Sequence, residues 1–173
     1  MCFILEYAYM GKFKMTFVEA GDILPEHKEL NHRQVYGWIK TLDDKIVLVS
    51  KDGNKWQFPG GKPDTGESHL ETLQREVYEE TGINVEKLET EPRFFGYYVV
   101  DEVNEDSDEV VNSFLQIRYK IEPQISSNDL TLEPQEIDTE DYIKYADFLT
   151  MEEAEDLIFW MRDSDELNAF LAS

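Results

Sequence analysis

Cysteine is almost missing from this chain: Cys2 is the only one in 173 residues. A single thiol excludes an internal disulfide and a cysteine-based zinc cluster. Positive charge is scarce too, with 16 lysines and arginines against 38 aspartates and glutamates and a formal net charge of −22. That balance disfavours a long nucleic-acid footprint or an anionic membrane face, both of which need clustered cations. The expected partner is a small molecule, with no nucleic acid and no membrane. No apolar run approaches the about 18 residues of a spanning helix. Residues 1–10 have no basic start and are interrupted by Glu6, so no signal peptide is expected and a cytoplasmic location is the default. What is present is globular: 41% hydrophobic and 13% aromatic residues suffice for one sizeable core. No repeat or linker divides the chain, so one domain over residues 1–173 is expected.

The residues from Gly61 to Ile83 organise the rest. Gly61-Lys62-Pro63-Asp64-Thr65-Gly66-Glu67 is too rich in glycine and proline for a regular element. Ser68 with Glu71 forms a capping-box pattern, and Gly82 supplies a left-handed stop, so a helix over about 69–81 is predicted. Its stripe of Leu70, Leu73 and Val77 faces the core. Glu76, Glu79 and Glu80 lie at i, i+3 and i+4 and share a neighbouring face. Like charges at this spacing repel, and acids in the last turn oppose the helix dipole. Two local rules broken at one spot point to function, and a hard divalent cation with oxygen ligands would remove the conflict. The plain alternative, in so acidic a chain, is a solvated charged face.

The spacing Gly-x5-Glu-x7-Arg-Glu-hydrophobic-x-Glu-Glu-x-Gly-hydrophobic resembles the Nudix box at every defining position. Trp56-Gln57-Phe58-Pro59-Gly60-Gly61 is similar to the segment that precedes the box in many Nudix proteins. The resemblance implies an α/β protein, an α/β/α sandwich with a mixed sheet and the loop-helix-loop motif against it. It implies a Mg²⁺-dependent hydrolase, with Mn²⁺ as the other candidate ion, that cleaves a nucleoside diphosphate linked to another moiety by attack of water at phosphorus. Glu76, Glu79 and Glu80 would then be metal ligands, joined by the Gly61 backbone carbonyl. Glu67 and Arg75 would pair structurally, with Gly82 closing the motif. Glu76 is the first candidate for the general base, and Glu136, in a later loop, is the second. A Nudix fold without catalysis, serving as a ligand sensor or regulator, is the alternative, although every box acid is present.

The rest of the chain is read as strands around this motif. Lys12 to Phe17 alternates with period two and is predicted as a strand, paired with Cys2 to Tyr9 across Met10-Gly11. Residues 1–30 thus form a peripheral extension, either a capping hairpin or an arm that makes a homodimer. Val35 to Ile39 and Lys45 to Val49 are predicted as a hairpin through Thr41-Leu42-Asp43-Asp44. Phe94 to Val100 and Phe114 to Ile121 are two further strands, joined by an acidic loop, 101–109, that lacks the glycine-centred spacing of a calcium loop. Tyr142 to Ala146 is a last short strand. Thr150 and Glu153 start a helix whose Ala154, Leu157, Ile158 and Met161 face inward, and 164–171 forms a terminal helix.

The substrate is less defined. Nudix enzymes of the ADP-ribose branch often carry a proline roughly sixteen residues past the box, where this chain has Val99. The coenzyme A signature upstream is missing as well. Phe58-Pro59-Gly60-Gly61-Lys62 looks like the MutT-type enzymes that take nucleoside triphosphates, so triphosphates and nucleotide sugars stay open. Lys62, Arg33 and Tyr97 are candidate substrate contacts. Tyr36, Trp38 and Tyr98 are candidates for base stacking, although strand aromatics are more often core.

Overall fold

The computed structural model describes residues 13–104, 106–135 and 142–173. The expected pairing of Cys2 to Tyr9, and Glu136, lie outside the described residues. Strands β1 (Phe13–Glu19), β2 (Asn31–Ile39), β3 (Ile46–Ser50), β4 (Trp56–Gln57) and β5 (Gly60–Gly61) precede helix α1 (His69–Thr81). Strands β6 (Arg93–Val103), β7 (Val110–Ile121) and β8 (Tyr145–Leu149) follow, then helices α2 (Met151–Leu157) and α3 (Asp165–Ala172). A five-stranded sheet has the order β1-β6-β7-β2-β5, and a three-stranded sheet has the order β4-β3-β8. The larger sheet is mixed: β2 runs parallel to β7, whereas its other pairings are antiparallel.

Alternation along β2 explains the layers. Val35 and Ile39 point to one face, where Leu73 and Val77 of α1 join them, and Gly37 lets the helix approach closely enough that an added Cβ would lie 3.0 Å from Leu73 Cδ1. Trp38 points to the other face, stacked on Phe58 at 3.9 Å between ring centroids and packed against Phe170 of α3. Helices cover both faces, which is the α/β/α sandwich expected.

Several local expectations are corrected. Leu70 is 43% exposed, so only Leu73 and Val77 of the predicted stripe are core; the helix meets the sheet along a line narrower than its apolar pattern. Leu157 is 41% exposed because α2 ends there, and only Ala154, Ile158 and Met161 turn inward. The β2–β3 connection is tight, closed by Thr41 N–H to the Lys45 carbonyl at 2.9 Å, but the strands share only the isolated Lys40–Ile46 bridge and diverge into different sheets. The last strand is displaced to Tyr145–Leu149, where it pairs with β3. Residues 101–103 extend β6, shrinking the acidic loop to a hairpin end closed by Asn104 N–H to the Glu109 carbonyl. β1 pairs along its whole length with β6, and Phe17 is core, so this part of residues 1–30 is an edge strand of the main sheet.

Candidate active site

Helix α1 begins and ends as its residues predict. The Ser68 hydroxyl accepts from Glu71 N–H, the Glu71 carboxylate accepts from Ser68 N–H at 2.8 Å, and Gly82 adopts φ 76°. No cation lies in the last turn; the open carbonyls are satisfied by a passing segment instead. Glu133 N–H donates to the Thr81 carbonyl at 2.9 Å and Gln135 N–H to that of Glu79 at 2.7 Å. This contact, between a polar connection and the helix end, brings Gln135 to the same cleft as the glutamates.

Arg75 fastens the preceding loop to the helix. Its Nε donates to Glu67 Oε1 at 2.7 Å and its Nη2 to Glu67 Oε2 at 2.9 Å, a bidentate pair, while Nη2 also donates to the Lys62 carbonyl at 2.9 Å. Glu67 further accepts from Asp64 N–H and the Thr72 hydroxyl. The Arg75 hydrogen bonds, with the Asp64 amide next, hold the Glu67 carboxyl down at about 2. Glu67 and Arg75 are thus paired as expected. Arg75 reaches further than the sequence suggests: Nη1 lies 3.0 Å from Glu76 Oε1 and 3.3 Å from Glu79 Oε2.

Glu76, Glu79 and Glu80 line one cleft of about 300 Å³ with Gly60, Gly61 and Lys62. Gly60 and Gly61 form β5, which lies against β2 through Tyr36 and Val35. Gly60 has φ 149°, and a Cβ there would overlap the Val35 carbonyl; a Cβ at Gly61 would overlap the Glu76 carboxylate. Glu80 Oε2 accepts from Gly60 N–H at 2.7 Å. Burial pushes the Glu80 carboxyl up to about 8 despite that bond, and burial also raises Glu76, against the pull of Arg75. Among the described residues no group of three acidic, histidine or cysteine side chains already stands as a metal nest. Arg75 and the Gly60 amide occupy the carboxylate oxygens instead. The donor set still fits a hard divalent ion: desolvated carboxylates beside the Gly60–Gly61 backbone are oxygen ligands in need of positive charge.

Of the substrate candidates, Lys62 lines the cleft. Tyr97 does not: it is buried on the α1 side of the sheet, its hydroxyl accepting from Leu24 N–H at 3.2 Å and bonded to His27 Nδ1 at 2.8 Å. Arg33 sits outside the lining with its guanidinium 4.4 Å from the Phe114 ring centre. The cleft adds residues that sequence reasoning passed over as substrate contacts: Gln34, Lys51, Gln57 and Gln135, with Tyr142 and Ile143. Alternation along β2 places Gln34 and Tyr36 on one face, but no motif marks a glutamine as functional.

The sandwich and the clamped loop-helix-loop together define the class to which this protein belongs. A family profile described as NUDIX domain matches residues 30–166, and the chain belongs to that family. It is 30% identical over 88 residues to the uncharacterised Nudix hydrolase YvcI of Bacillus subtilis, which covers 50% of this chain and 52% of that protein. It is 49% identical over 62 residues to an RNA pyrophosphohydrolase of Bartonella quintana, covering 35% and 36%. The chain spans about half or less of the length of these curated relatives. The crystal structure of the Bacillus subtilis pyrophosphohydrolase BsRppH superposes with a TM-score of 0.60 at 20% identity, covering 91% of this chain and 89% of that one, which is a likeness of fold. No helix among the described residues is long and apolar enough to cross a membrane.

Proposed function

We propose that this protein is a divalent-metal-dependent pyrophosphohydrolase acting on a small nucleotide whose diphosphate is linked to another moiety. The observation that carries this reading is the desolvated pair Glu76 and Glu80 against Gly60–Gly61, in a cleft of about 300 Å³. Glu76, Glu79 and Glu80, with the Gly61 carbonyl, would hold the ion, Mg²⁺ first and Mn²⁺ second. When bound, it neutralises phosphate charge and acidifies water. Water adds to phosphorus, the bridging P–O bond breaks with its electron pair leaving on the departing phosphate, and the water proton passes to Glu76. Burial raises the Glu76 carboxyl, which makes its carboxylate a stronger base than one in open water. Arg75 keeps Glu76 oriented, and Lys62 stands where it can meet phosphate oxygens. Glu136, just after cleft-lining Gln135, is the alternative base.

One observation favours a second reading. Relatives named RNA pyrophosphohydrolase match 35% of this chain, so the triphosphate end of an RNA is a candidate substrate. The net charge of −22 argues for the free nucleotide, because an RNA chain needs cations along its path. Incubating the protein and its Glu76→Gln variant with nucleoside triphosphates, nucleotide sugars and 5′-triphosphate RNA, under Mg²⁺ and Mn²⁺ and with products identified by chromatography, decides. Metal-dependent cleavage of a free nucleotide, lost in the variant, supports the proposal. Cleavage of the RNA alone replaces the substrate, and no cleavage of any of them leaves a sensor fold.

A further inference from the structure

A line of polar side chains runs from under α3 to the cleft, on the face of the sheet opposite α1. Glu166, fully buried in the first turn of α3, accepts from Arg118 Nε at 2.6 Å and from Trp38 Nε1 at 2.9 Å through Oε1. Arg118, 5% exposed, donates from Nη2 to Gln116 Oε1 at 3.3 Å. Gln116 Nε2 donates to Gln34 Oε1 at 2.6 Å. Gln34 lines the cleft beside Tyr36, whose ring lies 4.6 Å from the Arg118 guanidinium. The ladder makes this possible: Gln34 is in register with Gln116 and Tyr36 with Arg118, and the irregularity between His32 and Gln34 sets that register.

The direction of the chain is decided at its buried end. An arginine has donors and no acceptor, so Gln116 must turn its carbonyl to Arg118 and its amide NH₂ to Gln34. Gln34 must then present its carbonyl to Gln116, which leaves its NH₂ as the group it can offer a ligand. An amide held this way, rather than free to flip, discriminates by penalty: a partner with a donor at that point meets a donor.

We infer that Gln34 is a specificity-determining residue of the cleft, whose NH₂, oriented by Gln116, Arg118 and Glu166, donates to an acceptor atom on the base of the bound nucleotide. This rests on the nucleotide reading of the same cleft. Phosphate oxygens are acceptors too, but the cleft meets them with the Lys62 cation and the carboxylates that would hold an ion, so the neutral Gln34 amide is assigned to the base. Gln116 is a positioning residue: it acts only through Gln34.

The test is titration calorimetry in Mg²⁺ with methylene-bridged analogues of guanosine, inosine and adenosine nucleotides, and with base-free methylenediphosphonate. The wild type should bind at least one nucleoside analogue about tenfold more tightly than the base-free compound, and Gln34→Met should lose about tenfold for that nucleoside and nothing for methylenediphosphonate. Gln116→Glu pairs its carboxylate with Arg118 and accepts from Gln34, turning the Gln34 carbonyl to the cleft. It should shift preference from bases with a 6-oxo group toward the 6-amino base, a change that general loosening of the sheet does not produce. Gln34→Glu, which offers only acceptors, should shift it the same way and serves if another variant does not fold. Unchanged affinities, equal losses for methylenediphosphonate, or a wild type that binds no nucleoside analogue would each overturn the inference. A wild type that binds these analogues but cleaves no hydrolysable nucleotide removes the hydrolase reading and leaves Gln34 as a base-reading residue.

Discussion

Arg75 holds Glu67 with two parallel hydrogen bonds while the same guanidinium lies 3.0 Å from Glu76, so one side chain ties the loop to the helix and steadies a cleft carboxylate. A lysine carries the charge but not the planar fork. Arg75→Lys should therefore lower kcat/KM by about tenfold or more, and Glu67→Gln should do the same, with the double variant little worse than either alone. Steady-state kinetics of the three proteins checks this; additive losses would mean the two act separately.

A Cβ at Gly61 would overlap the Glu76 carboxylate. Gly61→Ala should displace that group and cost about a hundredfold in kcat/KM, with the melting temperature nearly unchanged. Gly66, where an added Cβ meets nothing within 4 Å but φ is 93°, is the control, since Gly66→Ala strains the loop without crowding Glu76. Kinetics with melting curves for both variants separates crowding from strain.

Burial raises the Glu80 carboxyl to about 8 in the metal-free protein. A carboxyl whose folded value lies above its unfolded one binds more protons when folded. Its contribution to stability is fully present below the ordinary carboxylate range and is lost as pH rises from there through about 8. Chemical denaturation without metal should show Glu80→Gln less destabilised than the wild type on going from pH 5 to pH 9. Added Mg²⁺ should flatten the wild-type slope if it binds the carboxylate, and a wild-type slope equal to that of Glu80→Gln would rule out the raised value.

Glu166 carries both the Arg118 guanidinium and the Trp38 indole under α3. Removing it strands a buried cation, so Glu166→Ala should destabilise the fold by about 3–5 kcal/mol in urea denaturation. Arg118 is then the group to remove next: Glu166→Leu with Arg118→Met should recover much of the loss, and no recovery would show that the pair is not the reason.

Tyr97 looked like a substrate contact in the sequence but is bonded to Leu24 and His27 across the sheet from Gln34. Tyr97→Phe should leave KM unchanged and cost about 1 kcal/mol of stability. A raised KM in the purified variant would return Tyr97 to the site.

The helix of the motif, both its caps and the shared face of the three glutamates follow from spacing, because capping and i, i+4 relations act within a few residues. The Glu67–Arg75 pair, in contrast, is expected only from the resemblance to the Nudix box. Alternation, which is also local, marks the long strands β2, β3, β6 and β7, but not the two-residue β4 and β5 or the position of β8. What those strands join is set by contacts far apart in the chain. Lys40 and Ile46 look like the arms of a hairpin, but β2 pairs with β7, some eighty residues away, and nothing near Thr41 encodes that choice. That long-range pairing sets Gln34 beside Gln116; a loop contact brings Gln135 to the end of α1, and the β6–β7 register sends Tyr97 to the α1 face of the sheet. Residues become neighbours in a cleft through the register of distant strands, and register is written across the whole sheet rather than in any one segment.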